Sequence, residues 1–143
     1  LYYPFWTMTF INSLIETSAE RSKIVEEEQS EKQKRFEESK AKRVDEIMTR
    51  LTEKYHPLLK KGLTQAAHAG RREKYMNFER DDFKANFPTL GTPGEMAVRW
   101  LQEMVKEDSK YLPFRDGTED REHFKGLEFD VWNNAAFTIH LKW

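Results

Sequence analysis

Polar side chains dominate the first half of this chain, and the apolar ones gather in two groups, Phe10, Ile11, Leu14, Ile15 and Val25, then Val44, Met48, Leu51, Tyr55 and Leu58. The second group steps by four and three residues in turn, the heptad-like seam of a helix that buries one stripe or pairs in a coiled coil. Between Glu26 and Lys40 the one apolar side chain is Phe36. A continuous dimeric coiled coil needs apolar residues at every a and d position, so the pattern predicts a solvated helix with an apolar patch at each end. Residues 5–56 contain neither Pro nor Gly, which permits one very long helix. At ~1.5 Å rise per residue, a helix from Asn12 to Tyr55 is a rod of about 65 Å. From Glu20 to Lys54, 20 of 35 residues are charged, ten of each sign. Glu precedes a base by four at Glu28/Lys32, Glu31/Arg35, Glu38/Lys42 and Glu46/Arg50, each pair worth roughly 0.2–0.5 kcal/mol on an exposed helix.

His56, Pro57 and Gly62 are expected to interrupt this helix and open a shorter one, Leu58 to Ala69, with Gly70 as its C′ residue. Beyond it the periodicity changes. Thr92-Pro93-Gly94-Glu95 places Thr at N-cap, Pro at N1 and Glu at N3, a capping box opening a helix to about Lys106. Leu127, Phe129 and Val131, then Phe137, Ile139, Leu141 and Trp143, alternate as two strands. Pairing Val131 with Ile139, Phe129 with Leu141 and Leu127 with Trp143 keeps every apolar residue on one face and leaves Asn134, Ala135 and Ala136 as the loop; an even-numbered loop destroys the match. Lys74 to Phe78 reads as a third strand or as the start of a helix running to Asn86. A lone hairpin is marginal without more cover, which favours the strand. The fold class is α+β, in four parts: an aromatic arm over 1–15, a long charged helix over 16–56, a short helix and linker over 57–74, and a small α+β domain over 75–143 expected to fold by itself. That last part holds 12 of the 19 aromatic residues.

Composition narrows the chemistry more than the fold. The chain has 143 residues, 24 Lys+Arg against 25 Asp+Glu, and no Cys, and its mean hydropathy is -0.87. Near-zero net charge provides no long-range field for nucleic acid or anionic membrane, although a local basic face is compatible with it. The lack of Cys removes disulfides, thiolate metal sites and cysteine nucleophiles and leaves the compartment open, cytoplasmic or secreted. The four His residues show no metal spacing and no HExxH. His140 reads as a surface residue of the last strand beside Trp132 and Thr138. The acidic run from Asp116 to His123 lacks the order of a calcium loop and reads as a solvated turn. No G-x-S-x-G or phosphate-cradling Gly-Lys-Ser/Thr is present. No enzymatic role and no cofactor are expected.

Leu1 to Ile15 is apolar but shorter than the ~20 residues of a membrane span, and it lacks the basic start of a signal peptide. It reads as an arm that packs on a partner; a membrane anchor is expected only if it is the end of a longer apolar segment. Residues 65–71, Trp100-Leu101 in the capped helix, and the ending Val131-Trp132-Asn133-Asn134-Ala135-Ala136-Phe137-Thr138-Ile139-His140-Leu141-Lys142-Trp143 resemble small uncharacterised proteins of large double-stranded DNA viruses. The resemblance implies a virion or assembly component and carries no catalytic residue. Together these readings predict a structural or adaptor protein that joins other protein subunits. One contact group comprises Tyr2, Tyr3, Phe5, Trp6, Phe10, Ile11, Leu14 and Ile15. The second, Val44, Met48, Leu51, Tyr55 and Leu58, either binds another chain or docks on the chain's own C-terminal domain. The alternative function is nucleic-acid binding through Lys60, Lys61, Arg71, Arg72 and Lys74.

Overall fold

A computed structural model describes the chain from Phe5 to Trp143, with side chains described from Thr9 onward. Helix α1 (Phe5–His68) is followed by strand β1 (Glu73–Asn77), a 3-10 turn (Arg80–Phe83), helix α2 (Pro93–Met104) and strands β2 (Glu128–Trp132) and β3 (Thr138–Lys142). This is the expected α+β arrangement of a long helix, a capped helix and a terminal hairpin. The chain divides into two compact units, 1–39 and 40–143.

In the first unit the described side chains from Thr9 to Arg35 are all exposed. Local bonds run along the helix: Thr17 Oγ1 donates to the Ser13 carbonyl at 2.8 Å, and Arg35 pairs with Glu31 at 2.9 Å. Such contacts are worth tenths of a kcal/mol each.

The second unit contains the core. One cluster joins Ile47, Met48, Leu51, Tyr55 and Leu59 of α1, Met96, Ala97, Trp100, Leu101 and Met104 of α2, and Ile139 and Leu141 of β3. The sheet is antiparallel in the order β1-β3-β2. Val131 lies opposite Ile139 and Phe129 opposite Leu141, as the alternation demands. The segment left open between strand and helix is a strand, because its inward Met76 pairs with Ile139 and completes the buried face. Thr92 caps α2, its Oγ1 accepting the Glu95 N–H at 3.2 Å. Helix α1 ends as expected: Gly70 takes φ +77°, Gly70 N–H donates to Ala67 O at 3.0 Å, and Arg71 N–H to Ala66 O at 2.9 Å, a Schellman motif.

Two expectations need correction. First, α1 does not break at His56, Pro57 and Gly62, so no separate helix begins at Leu58. Pro57 is exposed beside exposed Glu53, whose carbonyl loses its helical donor on the side open to water, while Leu51, Tyr55 and Leu59 are 4% exposed or less and hold the helix course. Gly62 is a point of close approach: a Cβ there would stand 3.2 Å from Met76 Sδ. Second, the buried stripe passes through Leu59, and Leu58 is 48% exposed. The stripe Met48, Thr52, Tyr55, Leu59, Gly62, Ala66 repeats as regularly as the apolar seam but includes Thr and Gly, which an apolar search skips. The core of residues 75–143 is shared with α1, which contributes Ile47, Met48, Leu51, Tyr55 and Leu59 to the buried cluster.

Thr52 occupies the middle of that stripe. Its Oγ1 donates to the Met48 carbonyl at 2.7 Å and accepts from Trp100 Nε1 at 3.1 Å. Satisfied in this way, a buried hydroxyl and a buried indole N–H lock α1 to α2 in one register.

Two outcomes follow from this core. A fragment of residues 40–143 should unfold in a single cooperative transition, and 75–143 should show none. Losing five buried side chains at ~1.5–3 kcal/mol each removes on the order of 10 kcal/mol, comparable with the whole stability of a domain. Thr52→Val should destabilise by ~1–3 kcal/mol in urea titrations despite its apolar methyl, because the Trp100 N–H is left buried without an acceptor; an unchanged midpoint would remove this bond from the account.

Candidate interaction surfaces

The residues proposed as contact sites separate sharply by environment. Phe10, Ile11, Leu14 and Ile15 are 57%, 48%, 48% and 61% exposed. Positions 10/14 and 11/15 are four apart and 11/14 three apart, so the four form one continuous patch over two turns. Tyr2 and Tyr3, and the side chains of Phe5 and Trp6, lie outside the described residues. In the second group Met48, Leu51 and Tyr55 are core and Val44 packs partly buried against it. Of the two open alternatives, the structure takes docking on the chain's own domain. These side chains are therefore not available to another chain, and Leu58 alone of the group faces solvent.

Charged residues of α1 that read as a solvated face prove to be anchors. Arg50 donates to the Asp82 carbonyl at 2.7 Å, Arg43 Nε to the Ala85 carbonyl at 2.9 Å, and Lys54 Nζ lies 2.5 Å from Asp82 Oδ2. Glu46, expected to pair with Arg50, sits 3.3 Å from Arg43 instead. The Tyr55 hydroxyl donates to Asp82 Oδ2 and accepts the Glu79 N–H at 3.2 Å. Tyr111 donates likewise to Asp45, which Lys110 approaches to 3.0 Å. Burial and then the Asp82 bond push the Tyr55 phenol up to about 12. The same two causes, with Asp45 as the partner, raise Tyr111. Burial works to raise the Asp82 carboxyl, but its bonds from Lys54 and Tyr55 prevail and hold it below the usual range.

The five basic residues of the nucleic-acid alternative have diverse occupations. Lys60 lies 2.5 Å from Glu122 Oε1, Arg72 Nε donates to the Trp143 carbonyl at 3.2 Å, and Lys74 is half-buried, while Lys61 and Arg71 are exposed. Arg71 and Arg72 share a hollow of about 550 Å³ with Lys142, Glu73 and Trp143.

Sequence reasoning missed the outward face of the sheet. Alternation places Tyr75 of β1, His140 of β3 and Asp130 of β2 in one row across the strands, Tyr75 opposite His140 and His140 opposite Asp130. The Tyr75 and His140 rings stack at 4.2 Å and 9°, and Trp132 lies 5.8 Å from Tyr75. Glu73 Oε2 is 3.1 Å from His140 Nε2. His140 is thus a built-in part of an aromatic platform rather than a loose surface residue. Its outward position was legible from the alternation of β3; its partner Tyr75 became legible only once 73–77 was known to be a strand.

Among the described residues no group of three or more His, Asp or Glu is arranged to hold a metal ion, and no helix is long and apolar enough to cross a membrane. No protein-family model, no curated protein and no solved structure matches this chain.

The raised phenols set an alkaline limit. Tyrosine ionises near pH 10 in the unfolded chain, whereas Tyr55 holds its proton to about 12. The contribution is complete below pH 10 and is lost as pH rises from 10 toward 12, where the unfolded state has released a proton that the folded state retains. Denaturant titrations between pH 9 and 11.5 should show falling stability, and Tyr55→Phe should flatten the fall. An equally steep decline in the variant would reject this assignment.

Proposed function

We propose that this chain is a non-enzymatic structural or adaptor protein that joins other protein subunits, with its N-terminal helical segment as a contact arm. The observation that carries the reading is the patch formed by Phe10, Ile11, Leu14 and Ile15, each about half exposed or more on the helix. Large contiguous apolar surface on a soluble segment marks an association site, and an aromatic residue within it is a common anchor. A protein partner fits better than an anionic membrane. Interfacial membrane helices surround their apolar face with Lys and Arg, whereas the charged residues interleaved from Thr9 to Glu20 are Glu16 and Glu20.

The highly charged stretch that follows supplies solubility, with Ile24 and Val25 its exposed large apolar side chains. Nucleic-acid binding through Lys60, Lys61, Arg71, Arg72 and Lys74 is the weaker reading, because the ammonium of Lys60 and the guanidinium of Arg72 already have partners. Phosphate affinity rests on basic groups with few competing acids.

A photo-cross-linking amino acid at position 14, expressed in the native host, should give a discrete adduct with a protein, and the same probe at position 29 should give none. Adducts with lipid alone, or none at position 14, would overturn the reading. Retention on heparin with a steep salt slope, lost on joint Arg71→Ala and Arg72→Ala substitution, would establish the nucleic-acid alternative in its place.

A further inference from the structure

The outward face of the sheet carries side chains that the fold does not need. Tyr75 and Trp132 are 51% and 48% exposed, although a strand position facing water takes a polar residue at no cost to the core. Their arrangement is fixed from beneath: Tyr75 lies flat on His140, which Glu73 holds by its Nε2. Rigid rings on a sheet lose little conformational freedom when a ligand arrives, which is the condition for an interface anchor.

The charges around these rings select the ligand. On the strands Glu73, Glu128 and Asp130 face outward against Lys142, and the guanidiniums of Arg71 and Arg72 lie in the hollow at the Glu73–Lys142 end, away from Asp130 and Trp132 in register. Glu73 is engaged with His140, while the Asp130 and Glu128 carboxylates have no hydrogen-bond or ion-pair partner among the described residues. Asp130 and Trp132 are two apart on β2, hence on the same face and about 7 Å from each other. An electron-rich ring face beside an unpaired carboxylate at that distance suits a flat cation, which can lie on the indole and direct its N–H groups at the acid. Guanidinium meets both demands, whereas an ammonium has the charge and N–H donors but no flat face to lie on the indole. A nucleic acid could stack on the same rings, but its phosphates would meet Asp130 and Glu128. An apolar partner would bury those carboxylates unpaired, at considerable cost.

We propose that the outward face of the sheet is a docking site for an arginine-bearing segment of a partner protein, the guanidinium seated between the Trp132 indole and the Asp130 carboxylate with Tyr75 as the adjoining wall. This surface lies in the 40–143 unit and stands on its own observations; it does not depend on the N-terminal patch. If both hold, the protein joins one partner by apolar contact and another by recognition of a cation.

The test titrates the full chain with a capped Gly-Arg-Gly-Arg-Gly peptide and follows the Trp132 indole N–H by NMR, beside the same peptide with citrulline in place of arginine. The expected result is a saturable shift at millimolar peptide or below, absent with citrulline. Asp130→Asn, followed at the same N–H, and Trp132→Leu, followed at the backbone amide of the adjoining Tyr75, should each weaken binding about three- to tenfold. Both side chains are exposed, and far-UV circular dichroism confirms that the variants fold. No shift with the arginine peptide, an equal response to citrulline, or an Asp130→Asn variant that binds as well as the parent would overturn the proposal. So would a single-stranded oligonucleotide that shifts Trp132 in the parent and binds more tightly to Asp130→Asn.

Discussion

The packing of one stripe of α1 against α2 and the sheet is the contact on which the rest of the 40–143 unit depends. The three-stranded sheet and the twelve-residue helix α2 share one buried cluster with α1. Ile47, Met48, Leu51, Tyr55 and Leu59 complete it. Thr52, bonded to the Trp100 indole, fixes where along α1 the other helix sits. Once that register is set, polar residues flanking the stripe fall into place as clamps. Arg43, Arg50, Lys54 and Tyr55 hold the segment around Asp82 and Ala85, and Asp45 holds Tyr111 and Lys110. The same stripe explains how the helix tolerates Pro57. Breaking there would cost several buried side chains, whereas the lost hydrogen bond and the ring clash cost roughly 3 kcal/mol.

Identical residue types therefore have different physical roles along α1. In the 1–39 unit, Glu31 and Arg35 pair in water with side chains 64% and 73% exposed, and such a pair contributes tenths of a kcal/mol. In the 40–143 unit, Arg50 meets a backbone carbonyl 32 residues away, where its loss would uncap the 3-10 turn. Helix formation in the first unit rests on propensity and local pairs, with no tertiary burial of the described side chains from Thr9 to Arg35 to reinforce it. A segment of that kind gains most by burying its apolar patch on something else.

What could be read from the residues followed the strength of each local constraint. The hairpin register was legible because the side-chain period in a strand is two, so a one-residue error would turn Phe129, Val131, Ile139 and Leu141 to water. The start of α2 was legible from Thr92, Pro93 and Glu95, and the end of α1 from Gly70, since caps are fixed by individual residues. The course of α1 past Pro57 was not, because helix breaking is a local preference that tertiary burial overrode. Leu59 was passed over for Leu58 since the true stripe includes Thr52 and Gly62, whose places are earned by a hydrogen bond and by close approach to Met76. The contribution of α1 to the core of 75–143 was missed for the same reason. Aromatic density marks 75–143, while the missing part of its core is spread thinly through a charged helix. The platform of Tyr75, His140 and Trp132 combines three strands, and no single stretch of the chain contains it.

The two candidate surfaces differ in the physics available to them, and that difference bears on specificity. The N-terminal patch offers aliphatic and aromatic area on a helix, so its affinity would come from burial, which is non-directional and accepts many apolar partners of suitable shape. The sheet face offers two rings, an unpaired carboxylate and a fixed spacing, so its selectivity would come from charge and geometry. It penalises any partner that leaves Asp130 unsatisfied. Burial loses little to salt, whereas attraction between exposed charges is screened within about 10 Å at 0.1 M. An adaptor built from both can hold one subunit by area and choose another by chemistry. For that division, the selective surface must sit on the unit with a packed core, where the positions of its rings and carboxylates are held by the sheet itself.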